Sequence, residues 1–178
     1  MINIVVTMAG EGSRFLQAGY TMPKYEIKAH NKTLFEWSML SLGSFFASHK
    51  FIFITQKNHN AKEFIYDKCK TLGIQSFFVK EIEGITSGQA ETVVTAEEYY
   101  DKEQPLLVYN IDTFVLPGEI KPNQIKGDGF IPCFEGEGDH WSFAAINEKH
   151  QVVEVAEKTR ISPFCTVGAY YFNSYLLY

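Results

Sequence analysis

A chain of 178 residues with 46% hydrophobic residues is long enough to bury a substantial core as one domain. Its net charge of −5 argues against a nucleic-acid surface or an anionic membrane as partner, although a free nucleotide needs only a local basic loop. Cys69, Cys133 and Cys165 lack metal or redox spacing, and the first apolar run is too short for a signal peptide or a membrane span. Buried reduced thiols in a cytoplasmic protein are therefore expected.

The elements follow in chain order. Ile2 to Val6 reads as the first strand of a parallel sheet. It runs into Met8-Ala9-Gly10-Glu11-Gly12-Ser13-Arg14-Phe15, and Pro23-Lys24 follows. Glycines let backbone N–H groups close on an anion, arginine offers a planar fork of donors, and lysine adds a point charge. The combination points to a nucleoside triphosphate; the plainer alternative is a tight turn carrying two surface cations. A Rossmann fingerprint needs a third glycine where Phe15 stands, and an acid about twenty residues on, which Glu26 and Glu36 only loosely bracket. A dinucleotide oxidoreductase is thereby disfavoured, and no segment supplies a P-loop.

Thr33-Leu34-Phe35-Glu36 has the capping-box pattern and predicts a helix to about Ser48, with Leu34, Trp37, Leu40 and Phe45 inward. Phe51 to Ile54 reads as a fully buried strand. Asn58 caps a second predicted helix with Phe64, Ile65 and Leu72 inward and Gly73 as its stop. A strand over Ile74–Val79, a helix over Glu91–Tyr100 and a strand over Pro105–Asn110 complete a strand–helix alternation. That alternation predicts a doubly wound α/β sheet, whose ligands lie at the carboxyl ends of the strands. The Gly10 loop and Asp112 both fall at such ends. Asp112 is a candidate magnesium ligand or, alternatively, a turn cap. Beyond it the chain turns glycine-rich and acidic over Gly127–Asp139. Strands are expected at Ser142–Asn147, Val152–Ala156 and Cys165–Phe172, as a β-rich extension of the sheet.

Four motifs in order carry a resemblance. They are Met8–Phe15 with Pro23-Lys24; Gly88-Gln89-Ala90-Glu91-Thr92; Tyr109-Asn110-Ile111-Asp112; and Val155-Ala156-Glu157-Lys158 followed by Ile161-Ser162 and Gly168-Ala169-Tyr170-Tyr171-Phe172. Together they resemble the sugar-phosphate nucleotidylyltransferases and related cytidylyltransferases. The resemblance implies a Rossmann-like, mixed, helix-flanked sheet with its β-rich extension over the acceptor. Residues 1–178 would form one domain, with 1–112 holding nucleotide and 113–178 holding acceptor. Family members are usually longer and carry a second metal aspartate beyond this point, so a truncated chain is expected.

The same resemblance assigns roles. Arg14 and Lys24 are catalytic. Met8, Ala9, Gly10, Gly12, Ser13, Gly88 and Gln89 bind the nucleotide, and Asp112 binds Mg2+. Glu157, Lys158, Thr166 and Gly168 bind the acceptor, and His140-Trp141 is a weaker specificity candidate. Glu157 and Lys158, adjacent in a strand, face opposite sides unless the chain twists, and the plainer alternative is an exposed ion pair. The implied reaction moves a nucleotidyl group from a nucleoside triphosphate to a phosphorylated metabolite and releases pyrophosphate, for capsule or surface polysaccharide. CTP is favoured, then UTP or dTTP. Sugar 1-phosphates are the commonest acceptors, but Met22–Ile27 departs from the usual continuation after the lysine and Glu135–Asp139 is acidic. A non-sugar phosphorylated metabolite stays open, as does a binding module without turnover.

Overall fold

The computed structural model describes residues 1–178, and its centre is β1 (Asn3–Thr7). Ile4, Val5 and Val6 are fully buried. Their side chains alternate across the strand, so Ile4 and Val6 join one core and Val5 the other. On one flank β1 pairs in parallel with β4 (Lys50–Gln56), which pairs in parallel with β5 (Ser76–Ile82). On the other flank it pairs in parallel with β6 (Leu106–Asn110). Two antiparallel strands, β12 (Ala169–Phe172) and β7 (Gly129–Phe130), extend that side. The six-stranded order is β5-β4-β1-β6-β12-β7.

Helices cover both faces. α2 (Leu34–Leu40) and α3 (Lys62–Leu72) pack on the larger core through Phe35, Met39, Ile65 and Cys69. α4 (Gln89–Val94) packs on the other face through Val93. This is the doubly wound α/β sheet that strand–helix alternation predicts, and its antiparallel strands make it the mixed sheet that the resemblance implies. A four-stranded antiparallel sheet forms the β-rich extension, in the order β10 (Val152–Glu157), β9 (Ser142–Ile146), β11 (Phe164–Thr166), β8 (Cys133–Glu135). A two-residue-per-strand hairpin, β2 (Lys28–Ala29) with β3 (Lys32–Thr33), leads into α2. α1 (Ser13–Gln17) follows the glycine loop and buries no residue. No helix is long and apolar enough to cross a membrane.

Several local expectations need correction. The α2 helix ends at Leu40 rather than near Ser48, and a separate tight turn spans Gly43–Phe45. Its buried face is one residue out of phase with the expected one: Phe35, Ser38 and Met39 are buried, while Leu34, Trp37 and Leu40 are only half-buried. Trp37 turns to the hairpin instead and donates its indole N–H to the Ala29 carbonyl at 2.8 Å. Asn58 does not cap α3. It lies in the turn Lys57–His59, and Asn60 takes the left-handed backbone that redirects the chain into the helix. Ile65 and Cys69 are the buried α3 residues, with Phe64 and Leu72 half-buried, and Gly73 stops the helix at φ 80°. The α4 helix stops at Val94, before a separate turn at Glu97–Tyr99. The single strand expected over Cys165–Phe172 is two strands in two different sheets, broken at Gly168 (φ 78°). Cys69 and Cys165 are buried free thiols, but Cys133 is exposed.

The capping box at α2 is complete. Glu36 N–H donates to Thr33 Oγ1 at 3.2 Å, and Thr33 N–H donates to Glu36 Oε2 at 2.8 Å. Burial alone would raise the Glu36 carboxyl. The Thr33 N–H and hydroxyl and the Lys68 ammonium outweigh it and hold the group below its ordinary value. Because the folded pKa lies below the unfolded one, this contribution is present above about pH 4.3 and is lost as pH falls through the lower folded value. Thr33→Ala should lower unfolding stability by about 1 kcal/mol in urea titrations near neutral pH. Its stability should also fall less steeply with acid than the wild type's.

Candidate active site

Parallel pairing brings Thr7, Ile54 and Asn110 level at the carboxyl ends of β1, β4 and β6. A cavity of about 440 Å³ opens there. Ala9, Gly10 and Lys24 line it, as do Thr86, Gly88 and Gln89, Ser142 and Glu157 of the extension, and Tyr170 of β12. Asp112, which follows β6, also lines it.

The glycine loop is shaped by the protein's own contacts. Gln56, buried at the end of β4, donates its amide to the Ala9 carbonyl at 2.7 Å. Gly12 takes the left-handed backbone at φ 64°, which a side chain would strain. None of the backbone N–H groups from Gly10 to Arg14 donates to a protein acceptor. Successive unpaired backbone donors beside Arg14 and Lys24 are an anion cradle.

Lys24 Nζ lies 2.7 Å from Asp112 Oδ2, with the two side chains 17% and 52% exposed. A half-exposed pair of this kind adds little to stability, so its interest is chemical. A second cavity of about 190 Å³ is lined by Gly12, Ser13, Arg14 and Phe15 and shares Lys24 and Asp112 with the first. Arg14 is exposed and borders this second cavity only, so the Lys24–Asp112 pair is where the two spaces join.

Opposite, the Ser87 N–H and hydroxyl donate to Glu91 Oε2 at 2.6 and 2.5 Å. The Ser87 hydroxyl and N–H hold the Glu91 carboxyl below its ordinary value and fix the turn at Gly88. Gln89 Nε2 donates to Thr7 Oγ1 at 3.0 Å and to Asn110 Oδ1, tying α4 to the ends of β1 and β6. Asn110 also donates its N–H to the Gly168 carbonyl at 3.0 Å. A Cβ at Gly168 would lie 2.6 Å from Asn110 Nδ2.

On the acceptor side, register places Ser142 opposite Glu157 on the face toward the cavity. Lys158 adopts the left-handed conformation at φ 54° just past β10, and with Glu157 it forms the exposed ion pair that is the plainer alternative. Its Nζ lies 3.0 Å from Glu157 Oε1. Lys158, Thr166 and Gly168 do not line the cavity. Thr166 is buried with its hydroxyl 3.1 Å from the Tyr170 hydroxyl, and Gly168 backs Asn110. Met8 does not line it either: its side chain is in the larger core and its N–H donates to the Ile54 carbonyl at 2.9 Å. His140 and Trp141 are on the wrong side. Trp141 packs edge-on to Phe134, which shares with Cys165 and Phe143 the face turned away from Ser142 and Glu157. Arg160 holds the Gly136–Asp139 loop over that face, donating to the Gly136 and Gly138 carbonyls.

Sequence reasoning missed Thr7, Gln56, Ser142 and Tyr170. Position offers a signal for two of them, because Thr7 and Gln56 are polar residues ending strands that the sequence marks as buried.

Asp112 and Glu157 line the same cavity, and no cluster of three or more His, Cys, Asp or Glu side chains forms a closed cage. One or two carboxylates open to phosphate oxygens are the donor set that Mg2+ takes.

The fold and this crevice define an α/β nucleotidyltransferase. No protein-family model and no curated protein matches the chain. Solved structures do. A nucleoside-diphosphate-sugar pyrophosphorylase from Vibrio cholerae RC9 is 39% identical with a TM-score of 0.87, over 99% of this chain and 74% of that one. An inositol-1-phosphate CTP transferase from T. maritima is 15% identical with a TM-score of 0.78, over 96% and 70%. A UDP-glucose pyrophosphorylase solved with UDP-glucose is 15% identical with a TM-score of 0.74, over 97% and 76%. The last two share the fold; the first shows the family. The chain belongs to the nucleoside-diphosphate-sugar pyrophosphorylases, enzymes of the nucleotidyltransferase class.

Gly168→Ala meets both a left-handed backbone and the Asn110 amide. It should cost more than about 1 kcal/mol in denaturant titrations, beyond the ordinary penalty for alanine at positive φ.

Proposed function

We propose that this enzyme transfers a nucleotidyl group from a nucleoside triphosphate to a phosphorylated small molecule and releases pyrophosphate, with Mg2+, in building capsule or surface polysaccharide. The observation that carries the proposal is the Lys24–Asp112 pair between an unpaired N–H cradle and a cavity edged by Glu157. Both reactants are anionic, so catalysis consists chiefly of neutralising charge and aligning atoms.

Each residue then has a task. The Gly10–Arg14 N–H groups and the Arg14 guanidinium hold the β- and γ-phosphates and the departing pyrophosphate. Lys24 neutralises charge gathering at the α-phosphate as an acceptor phosphate oxygen attacks in line. Asp112, with the nucleotide's own oxygens, would hold Mg2+, which supplies further charge neutralisation at the phosphates. Glu157 and Lys158 orient the acceptor through its hydroxyls and its phosphate, and Ser142 and Tyr170 border the same pocket.

The order of bases, CTP before UTP and dTTP, rests on Gln89. Its Nε2 is committed to Thr7 and Asn110, so Oε1 is left to accept a hydrogen bond. At position 4, cytosine offers an exocyclic amine to such an acceptor, where uracil and thymine offer a carbonyl. The acceptor is a sugar 1-phosphate or a non-sugar phosphorylated metabolite. The lining residues Ser142, Glu157 and Tyr170 suit a hydroxyl-bearing molecule of either kind.

Pyrophosphate release should be measured with magnesium and each triphosphate in turn across a panel of phosphorylated metabolites. The expected result is release with one triphosphate, CTP first, and one acceptor. Silence with measurable nucleotide binding would favour a binding module, and silence without binding would reject the triphosphate site. In the productive pairing, Arg14→Ala should lower kcat/KM by about 10²-fold or more, and undiminished turnover would remove Arg14 from the mechanism.

A further inference from the structure

We infer that Tyr25 is a positioning residue for Lys24, its buried hydroxyl fixing the turn from which the lysine reaches the phosphates; this rests on the role given to Lys24 above. Lys24 and Tyr25 are neighbours on a single tight turn, Lys24–Glu26, closed by the Glu26 N–H on the Pro23 carbonyl at 2.9 Å and the Ile27 N–H on the Lys24 carbonyl at 3.2 Å. From that turn the two side chains diverge. Lys24 runs along Gly12 to Asp112, whereas Tyr25 points into the larger core and is 1% exposed.

The Tyr25 hydroxyl lies 3.1 Å from Thr55 Oγ1 and 3.1 Å from His59 Nδ1. Its ring packs beside those of Phe64 and His59. An apolar side chain would fill the same space without a hydroxyl that must be paired to be buried. Pairing it at two points fixes where the turn sits, rather than merely filling a core position. Burial pushes the phenol up to about 12, so it remains a neutral hydroxyl.

The anchor point is also placed to matter. Thr55 immediately precedes Gln56, whose amide grips the Ala9 carbonyl. The end of β4 therefore sets both edges of the cradle: Gln56 fixes the glycine loop and Thr55, through Tyr25, fixes the lysine turn. A lysine stem is flexible, so the ammonium can be aimed only as well as its Cα is held. Displacement by about 1 Å at such a site costs up to about a hundredfold.

Binding reads this without needing the acceptor. CTP, UTP, dTTP, ATP and GTP are titrated calorimetrically with magnesium, and the tightest is compared with its nucleoside by NMR titration. Tyr25→Phe alone strands Thr55 Oγ1, so Tyr25→Phe/Thr55→Val is the variant of record, and thermal unfolding checks its stability. It should bind the triphosphate about three- to tenfold more weakly and the nucleoside as the wild type does, because Lys24 touches only phosphate. In a Lys24→Ala background the same pair should change neither affinity.

Unchanged triphosphate affinity would overturn the inference, as would equal weakening for the nucleoside, which marks a merely structural role. So would a further loss in the Lys24→Ala background. If Lys24→Ala itself binds the triphosphate like the wild type, the role of Lys24 fails and this inference falls with it.

Discussion

The structure depends on β1 being paired in register on both sides. Its residues from Asn3 to Thr7 lie opposite Lys50–Ile54 in β4 and Leu106–Asn110 in β6. A strand buried on both faces cannot slip by one residue without reversing which side chains meet which core. That constraint fixes a common edge where the three strands end. The glycine loop, the Gln56 amide and Asp112 all leave from that edge. Asn110 then ties it to the rest, accepting from Gln89 on one side and donating to Gly168 on the other. The second sheet hangs from this knot: β11 belongs to it, Gly168 turns the chain, and β12 returns to the main sheet.

Charge is the other organising term. The chain is acidic overall, yet Arg14 and Lys24 both line the smaller cavity, and Lys24 with Asp112 stands where it meets the larger one. Lys24 is paired with Asp112 at 2.7 Å. Under the function proposed above, a phosphate would take the lysine and the carboxylate would hold Mg2+, so one pair serves both charges.

Much of this was legible in the sequence because it follows from local chemistry. The capping box at Thr33–Glu36, the Gly73 stop, the buried run of β4 and the Gly10 loop need only short-range rules. The structure also brings Gly10, Lys24, Gly88, Gln89, Asp112 and Glu157 to one cavity, though they are far apart in the chain. What was not legible depends on partners elsewhere. The α2 face turned by one residue because Trp37 found the Ala29 carbonyl. Cys165–Phe172 reads as one strand, and only the close approach of Asn110 to Gly168 reveals the break. Lys158 joins Glu157 through a left-handed residue that no pattern marks. Met8 and Trp141 lie next to site residues in sequence and are turned away from the site by strand alternation.

The central claim is that Lys24 and Asp112 form one centre serving the triphosphate. A double-mutant cycle on pyrophosphate release tests it, with Lys24→Ala, Asp112→Ala and the two combined, using the productive substrate pair. Each single change should lower kcat/KM by about 10²- to 10³-fold, and the double variant should be little worse than the weaker single one. Losses that multiply in the double variant, or either single variant turning over at the wild-type rate, would contradict it.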